Sequence, residues 1–249
     1  MHVTETCDKG APHLVVHTDT TPANVHEAMR TEPIHAALAD KGLAPAEHLV
    51  DAAYVSAGHL VSARERYGID LVGPPRRDVS WQRQREDAFG VSDFVVDWER
   101  RRVRCPEGKE STHWGEYVAK GRGPCVKVGF RRSDCAACPS QPRCTRTQGH
   151  GRRLTLHPRP EHEALALARA REQSEEGRQL YAQRQGIEGT FSQGVRAFGL
   201  RRARYRGLAK TGLQSVATAA ALNLDRLGAW LTKRPLAPTR ISRFAALAA

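Results

Sequence analysis

The sequence predicts an α/β fold interrupted by a β-rich insertion, and three observations carry that reading. Short apolar runs alternate with helical periodicity up to about residue 75. Strand-like pieces punctuated by Gly and Pro fill Arg76 to about Leu156, and helical stripes dominate from Pro160 onward. The 249 residues, 40% hydrophobic and 27% charged, suffice for one large domain or a domain with a sizeable insertion. Gly plus Pro occupies 35 of 249 positions, which disfavours wholesale disorder and collagen-like folds. No apolar run approaches the roughly 18 to 20 residues of a membrane helix, and Met1–Gly10 lacks the order of a signal peptide. A cytoplasmic protein with no membrane partner is expected.

Taken in order, Met1–Thr6 is a short extended piece, and Leu14–Thr18 reads as a strand closed by Thr20-Thr21-Pro22. Asn24–Lys41 places Val25, Met29, Ile34 and Leu38 at helical intervals before Gly42 and Pro45. The run His48–Tyr54 reads as a short buried strand, Leu60–Tyr67 as a helix, and Ile69–Gly73 as a second buried strand stopped by Pro74-Pro75. Strands of this kind joined through a helix argue for parallel pairing. Residues 76–157 form the expected insertion, with Phe94–Trp98 and Val126–Phe130 as strands and with Trp81, Trp98 and Trp114 as core or as surfaces for an unstacked base. Residues 158–234 are expected to be helical, over Glu161–Arg171, Gln179–Val195 and Leu208–Leu231, and residues 235–249 a basic tail.

The net charge of +12 is unevenly placed, at +1 over residues 1–150 and +11 over residues 151–249. Arg196, Arg201, Arg202, Arg204, Arg206 and Lys210 fall in a stretch without a single acid from Thr190 to Leu224. A phosphate backbone is the natural counterpart of such a field, and the planar fork of arginine suits bidentate phosphate contacts. A solvated basic helix face is the alternative.

Six cysteines are too few and too bunched for a secreted disulfide scaffold. Cys135-x2-Cys138-x5-Cys144, with Cys105 upstream in Cys105-Pro106-Glu107-Gly108-Lys109, supplies the four thiolates of a structural Zn²⁺ site, and Arg131, Arg132 and Arg143 nearby favour the thiolate form. Buried reduced cysteines and an iron–sulfur cluster are the other readings.

Two acids are candidates for chemistry. Asp51 ends an apolar strand, where α/β sheets place ligands and metals, although it could equally cap the following turn. Glu188 lies in Tyr181-x2-Arg184-x3-Glu188, a spacing that puts all three on one side of a helix; Arg184–Glu188 could also be an ordinary helix salt bridge. Gly186 and Gly189 flank the acid, each costing about 1 kcal/mol in a helix interior, which suggests close approach of DNA or another element.

Together, His48-Leu49-Val50-Asp51-Ala52-Ala53-Tyr54, the Tyr181/Arg184/Glu188 spacing, and Gly199-Leu200-Arg201-Arg202-Ala203-Arg204-Tyr205 with Leu208-Ala209-Lys210 resemble the DDE transposases of bacterial insertion sequences. The resemblance spans roughly His2 to Leu231. It implies a ribonuclease-H-like mixed sheet with flanking helices, truncated at the N-terminus, and a β-rich cysteine-containing insertion between the second catalytic Asp and the Glu. It further implies Asp51 and Glu188 as catalytic residues holding Mg²⁺ or Mn²⁺, Tyr181 and Arg184 as flanking helix residues, and transposon-end and target DNA as partners. A basic residue expected seven places after the glutamate falls on Val195, with Arg196 next to it. The first catalytic aspartate has no strand to sit on, since Asp8 and Asp19 lie on the wrong strands. The expectation is therefore a transposition protein impaired in DNA cleavage and strand transfer, acting as a homo-oligomer or with full-length transposase. One rival is a non-catalytic DNA-binding product that regulates or poisons that transposase. The other is an unrelated zinc-clipped nucleic-acid-binding protein.

Overall fold

The computed structural model describes residues 1–234 except 120, 122 and 148; the expected basic tail, residues 235–249, lies outside the described residues. Two compact units divide the chain. The first takes Met1–His26, Ala36–Leu43 and the chain from Ala182; the second takes Glu27–His35 and Ala44–Tyr181.

The first unit opens with an antiparallel pair, β1 (His2–Glu5) and β2 (Val15–Asp19), in the register His2↔Asp19 to Glu5↔Val15. The helix α1 (Thr31–Asp40), whose residues through His35 belong to the second unit and whose later residues belong to the first, begins only after a 3-10 turn at Glu27–Arg30, so the helix expected from Asn24 is shorter. Pro33 explains the start: proline lacks an N–H and its ring clashes with the preceding turn, so it is tolerated only where a helix begins. Two later helices complete this unit, α7 (Gly186–Phe198) and α8 (Leu208–Leu231). The bounds of α8 coincide with the expected ones. Its Asn223 amide clamps β2, accepting the Val15 N–H at 2.8 Å and donating to the Val15 carbonyl at 2.9 Å. Thr20 Oγ1 donates to Ser215 Oγ at 3.1 Å, a second tie from beyond the end of β2.

The second unit contains a βαβ element: β3 (Glu47–Leu49), α2 (Ala57–Tyr67) and β4 (Asp70–Val72), with β3 and β4 parallel. Ser56 caps α2 by accepting the His59 N–H, and Gly68 ends it at φ 67°, a left-handed geometry that favours glycine. Val50, Val55, Ala63, Ile69 and Leu71 form its buried cluster. α5 (Arg159–Gln173) and α6 (Glu175–Ala182) belong here too, and the Arg171 guanidinium reaches Asp70 at 2.8 Å.

The remainder of this unit is the β-rich segment. β5 (Val95–Asp97) pairs with β6 (Arg102–Arg104), and β7 (His113–Ala119), β8 (Gly123–Gly129) and β9 (Arg153–Leu156) form an antiparallel sheet with β8 in the centre. Two short helices, α3 (Arg132–Ala136) and α4 (Gln141–Cys144), lie between β8 and β9. Alternation along β8 sends Val126 and Val128 inward to meet Leu156 and Leu154, in a core with Phe94, Val103 and Phe130. The Trp98 and Trp114 rings meet each other edge to face at 5.4 Å and pack, partly buried, against this core, so the core reading of these two rings holds.

The chain is thus α/β, but the expected single mixed sheet is not what the described residues form. Their strands make four separate sheets of two or three strands. The 3- to 5-residue strands β1 to β4 have few backbone groups with which to extend a ladder.

Candidate active site and nucleic-acid interface

Asp51 lies just beyond β3. The parallel pairing continues through the Val50 N–H, which donates to the Val72 carbonyl at 2.8 Å, and the chain then turns away. The strand expected over His48–Tyr54 therefore gives way after Val50 to a 3-10 turn, Ala52–Tyr54, with Asp51 as its N-cap. Asp51 Oδ1 accepts the Ala52 N–H at 2.7 Å. A short polar side chain there offers the backbone a local partner that competes with the ladder. The carboxylate is exposed at the C-terminal edge of a parallel strand pair. The capping reading of this residue is thus the one the geometry shows, with the carboxylate at a strand edge of the kind where α/β sheets commonly place ligands.

Tyr181, Arg184 and Glu188 do not share a single helix. Tyr181 is in α6, Arg184 in a 3-10 turn at Gln183–Gln185, and Glu188 in the first turn of α7. Tyr181 lines a cavity of about 120 Å³ with Val72, Gly73, Arg171 and Arg178. Glu188 has a side chain 71% exposed, and Arg184 Nη1 lies 3.9 Å from its Oε1, a loose ion pair. Of the two flanking glycines, Gly186 has a packing reason: a Cβ there would meet His13 Nδ1 at 3.4 Å and Glu5 Oε1 at 3.6 Å. At Gly189 a Cβ would meet nothing within 4 Å. Asp51 belongs to the second unit and Glu188 to the first.

The basic stretch forms a built loop between α7 and α8. Gly199 closes α7 at φ 65°, Leu200 N–H returns to the Gly194 carbonyl at 3.0 Å, and Gly207 at φ 90° starts α8. Gln214 holds the loop from within α8: its Oε1 accepts the Arg204 N–H at 2.9 Å, and its Nε2 donates to the Arg202 carbonyl at 2.7 Å. The backbone is thereby fixed while every residue from Arg201 to Lys210 is exposed. Among the described residues none of Arg201, Arg202, Arg204, Arg206 and Lys210 forms an ion pair. Arg196, in the last turn of α7, instead folds back on its own helix, donating to Ser192 Oγ at 2.6 Å. No sequence pattern singles out Gln214; a lone glutamine ten residues past an arginine carries no periodic signal.

The four clustered cysteines line one cavity of about 310 Å³, closed in by Phe94, Phe130 and Arg152. All are reduced and partly buried. Burial pushes the Cys144 thiol up to about 11; Arg152 pulls against that rise, and Cys135, Cys105 and Cys138 add to it. Arg152, absent from the sequence reading, is the cation beside the sulfurs, and Arg143 instead lies over the Phe89 ring at 4.8 Å. Among the described residues no three His, Cys, Asp or Glu side chains are set to hold a metal ion.

A family model described as a transposase DDE domain matches residues 104–228, half of the chain. The chain belongs to this transposase family. The match runs from the end of β6 into α8, so it includes the cysteine cluster, Glu188 and the arginine loop, and it leaves Asp51 outside. No curated protein and no solved structure matches the chain. Membership of a DDE transposase family makes DNA the expected partner and divalent cations the family's usual metal. Among the described residues no helix is long and apolar enough to cross a membrane.

Proposed function

We propose that this chain acts on DNA in transposition, with Asp51 and Glu188 as catalytic carboxylates acting with a divalent cation and the Gly199–Gly207 loop as the clamp on the DNA backbone. The observation that carries the reading is the order of parts within the DDE match, Glu188 followed by a rigid loop of unpaired arginines. The donor chemistry suits a hard cation: both candidates are exposed carboxylates, and oxygen is the ligand that Mg²⁺ and Mn²⁺ prefer. A bound divalent cation would polarise the scissile phosphate and activate the attacking hydroxyl. The protein's part is to hold the carboxylates and seat the phosphates. The Ala52 N–H orients Asp51, Arg184 attracts Glu188, and Arg201, Arg202, Arg204 and Arg206 offer planar forks to the backbone.

Asp51 and Glu188 are one carboxylate fewer than the resemblance implies, so cleavage and strand transfer by this chain alone should be slow. Because the described residues contain no three-membered donor set, a second reading stands beside it: a DNA-binding product that joins and dampens full-length transposase. An assay of nicking on transposon-end DNA with Mg²⁺ and Mn²⁺ separates the outcomes. Weak metal-dependent nicking, abolished by Asp51→Asn and by Glu188→Gln, is the expected result. Binding without nicking favours the dampening role. Rapid turnover abolished by Asp51→Asn overturns the impairment and keeps the site; turnover unaffected by both substitutions overturns the site. Failure to retain DNA at low salt overturns the reading as a whole.

A further inference from the structure

We propose that Cys105, Cys135, Cys138 and Cys144 bind one Zn²⁺ ion as a closed structural site that staples the turn after β6 to the α3–α4 segment. The transposition chemistry makes no use of this cluster, and its construction points to a metal.

Each side of the site is a knuckle built around a sulfur. In Cys105–Lys109 the chain folds so that the Gly108 N–H donates to the Cys105 carbonyl at 2.9 Å, and Gly108 takes φ 77°. The Lys109 N–H is thereby aimed at Cys105 Sγ, at 3.3 Å. Across the cavity the Cys138 N–H donates to the Cys135 carbonyl at 3.2 Å, and the Arg152 N–H donates to Cys135 Sγ at 3.3 Å. Backbone N–H groups directed at sulfur spread the charge of a thiolate, which is the support that metal-bound thiolates receive from their surroundings. The two knuckles are already joined, since Ser140 Oγ donates to Glu107 Oε1 at 2.6 Å.

Charge gives an independent argument. Four thiolates around Zn²⁺ leave a net double negative charge, and a cation should be found beside them. Arg152 is that cation: it lines the cavity, its Nε is buried without a partner, and among the described residues it forms no ion pair with a carboxylate. A half-buried guanidinium whose Nε has no partner is costly, and a zinc–thiolate centre supplies a strong counter-charge beside it. Four sulfur ligands of this softness select zinc over the hard cations of the DNA chemistry and leave no open coordination position, so the site is structural. The sulfurs line the cavity without converging, so binding itself must draw them together.

The test is metal analysis of the full chain purified without chelator, followed by cobalt titration of the chain stripped of metal. Zinc equimolar with protein is expected, along with the intense visible d–d bands of tetrahedral thiolate-bound cobalt. Cys138→Ser should lose both, while Cys7→Ser, outside the cluster, keeps both. If Cys138→Ser does not fold, the wild-type cobalt spectrum decides alone. Substoichiometric zinc with no tetrahedral cobalt spectrum overturns the proposal, and iron with sulfide and brown absorption overturns it in favour of a cluster. Neither result bears on the nicking assay, whose substitutions lie elsewhere.

Discussion

Arg226 Nη1 lies 3.0 Å from Glu5 Oε2, an ion pair joining α8 to β1 across 221 residues of sequence, with side chains only 17% and 6% exposed. The same guanidinium donates to the His13 carbonyl at 2.7 Å, to Thr190 Oγ1 at 2.5 Å and to Gln193 Oε1 at 3.1 Å. The Thr190 hydroxyl in turn donates to Glu5. One arginine thus ties the β1–β2 hairpin to the helix that carries Glu188. Removing one member leaves the other charged and buried, so Arg226→Ala should cost about 3–5 kcal/mol in urea unfolding. The double variant Glu5→Leu/Arg226→Met should recover part of that loss. A cost for Arg226→Ala no larger than that of an exposed pair would show that the pair is solvated in solution.

The arginine loop makes a prediction about salt. Each phosphate contact contributes about 0.9 to the slope of log K against log salt. Replacing Arg201, Arg202, Arg204 and Arg206 by alanine together should therefore lower the magnitude of that slope by about 3 to 4. Gln214→Ala removes no charge but frees the backbone, so it should weaken binding while leaving the slope nearly unchanged. Fluorescence anisotropy on a labelled duplex across a salt series measures both. An unchanged slope in the fourfold variant would move the DNA contact elsewhere.

What could be read from the sequence was local. The α8 bounds follow from an Ala/Leu stripe that begins after Gly207, and the βαβ element from two apolar runs either side of a capped helix. The single helix expected through Tyr181 and Glu188 fails because a 3-10 turn intervenes and Gly186 is held close to His13 and Glu5, contacts with no counterpart in the helix's own periodicity. Arg226 reads as one more basic residue until Glu5, 221 positions away, gives it a partner. Arg152 is likewise invisible beside Cys135 until β9 brings it there. Sheet pairing is non-local in the same way: Val126–Phe130 could be read as a strand, yet its partners and the strand order across the chain could not be derived.

Gly177, buried in the first turn of α6, has no room for a side chain. A Cβ there would collide with the Arg171 carbonyl and come within 2.8 Å of Arg171 Cγ. Arg171 pairs with Asp70 at the start of β4, so the strain would reach the βαβ element. Gly177→Ala should destabilise by about 1–3 kcal/mol, where alanine would ordinarily stabilise a helix. A stabilised Gly177→Ala variant in thermal unfolding would mean that the α5–α6 junction yields freely.

His35 gives the fold a sensitivity to acid. It is 1% exposed, its Nε2 is 3.0 Å from His48 Nδ1, and the Tyr67 ring packs at 5.8 Å. Burial, with a smaller contribution from His59, lowers its pKa from 6.5 to about 4. A histidine that titrates lower in the folded chain binds fewer protons there than in the unfolded chain between those two values. Stability is therefore full above about 6.5 and is lost as the pH falls toward 4, by on the order of 3 kcal/mol from this group. Protonation would set a charge in the second unit beside His48 and His59. Urea midpoints should drop from about pH 7 to about pH 5 in the wild type, and drop less in His35→Gln, which keeps a polar side chain but cannot titrate. Equal drops in the two proteins would assign the acid sensitivity to other groups.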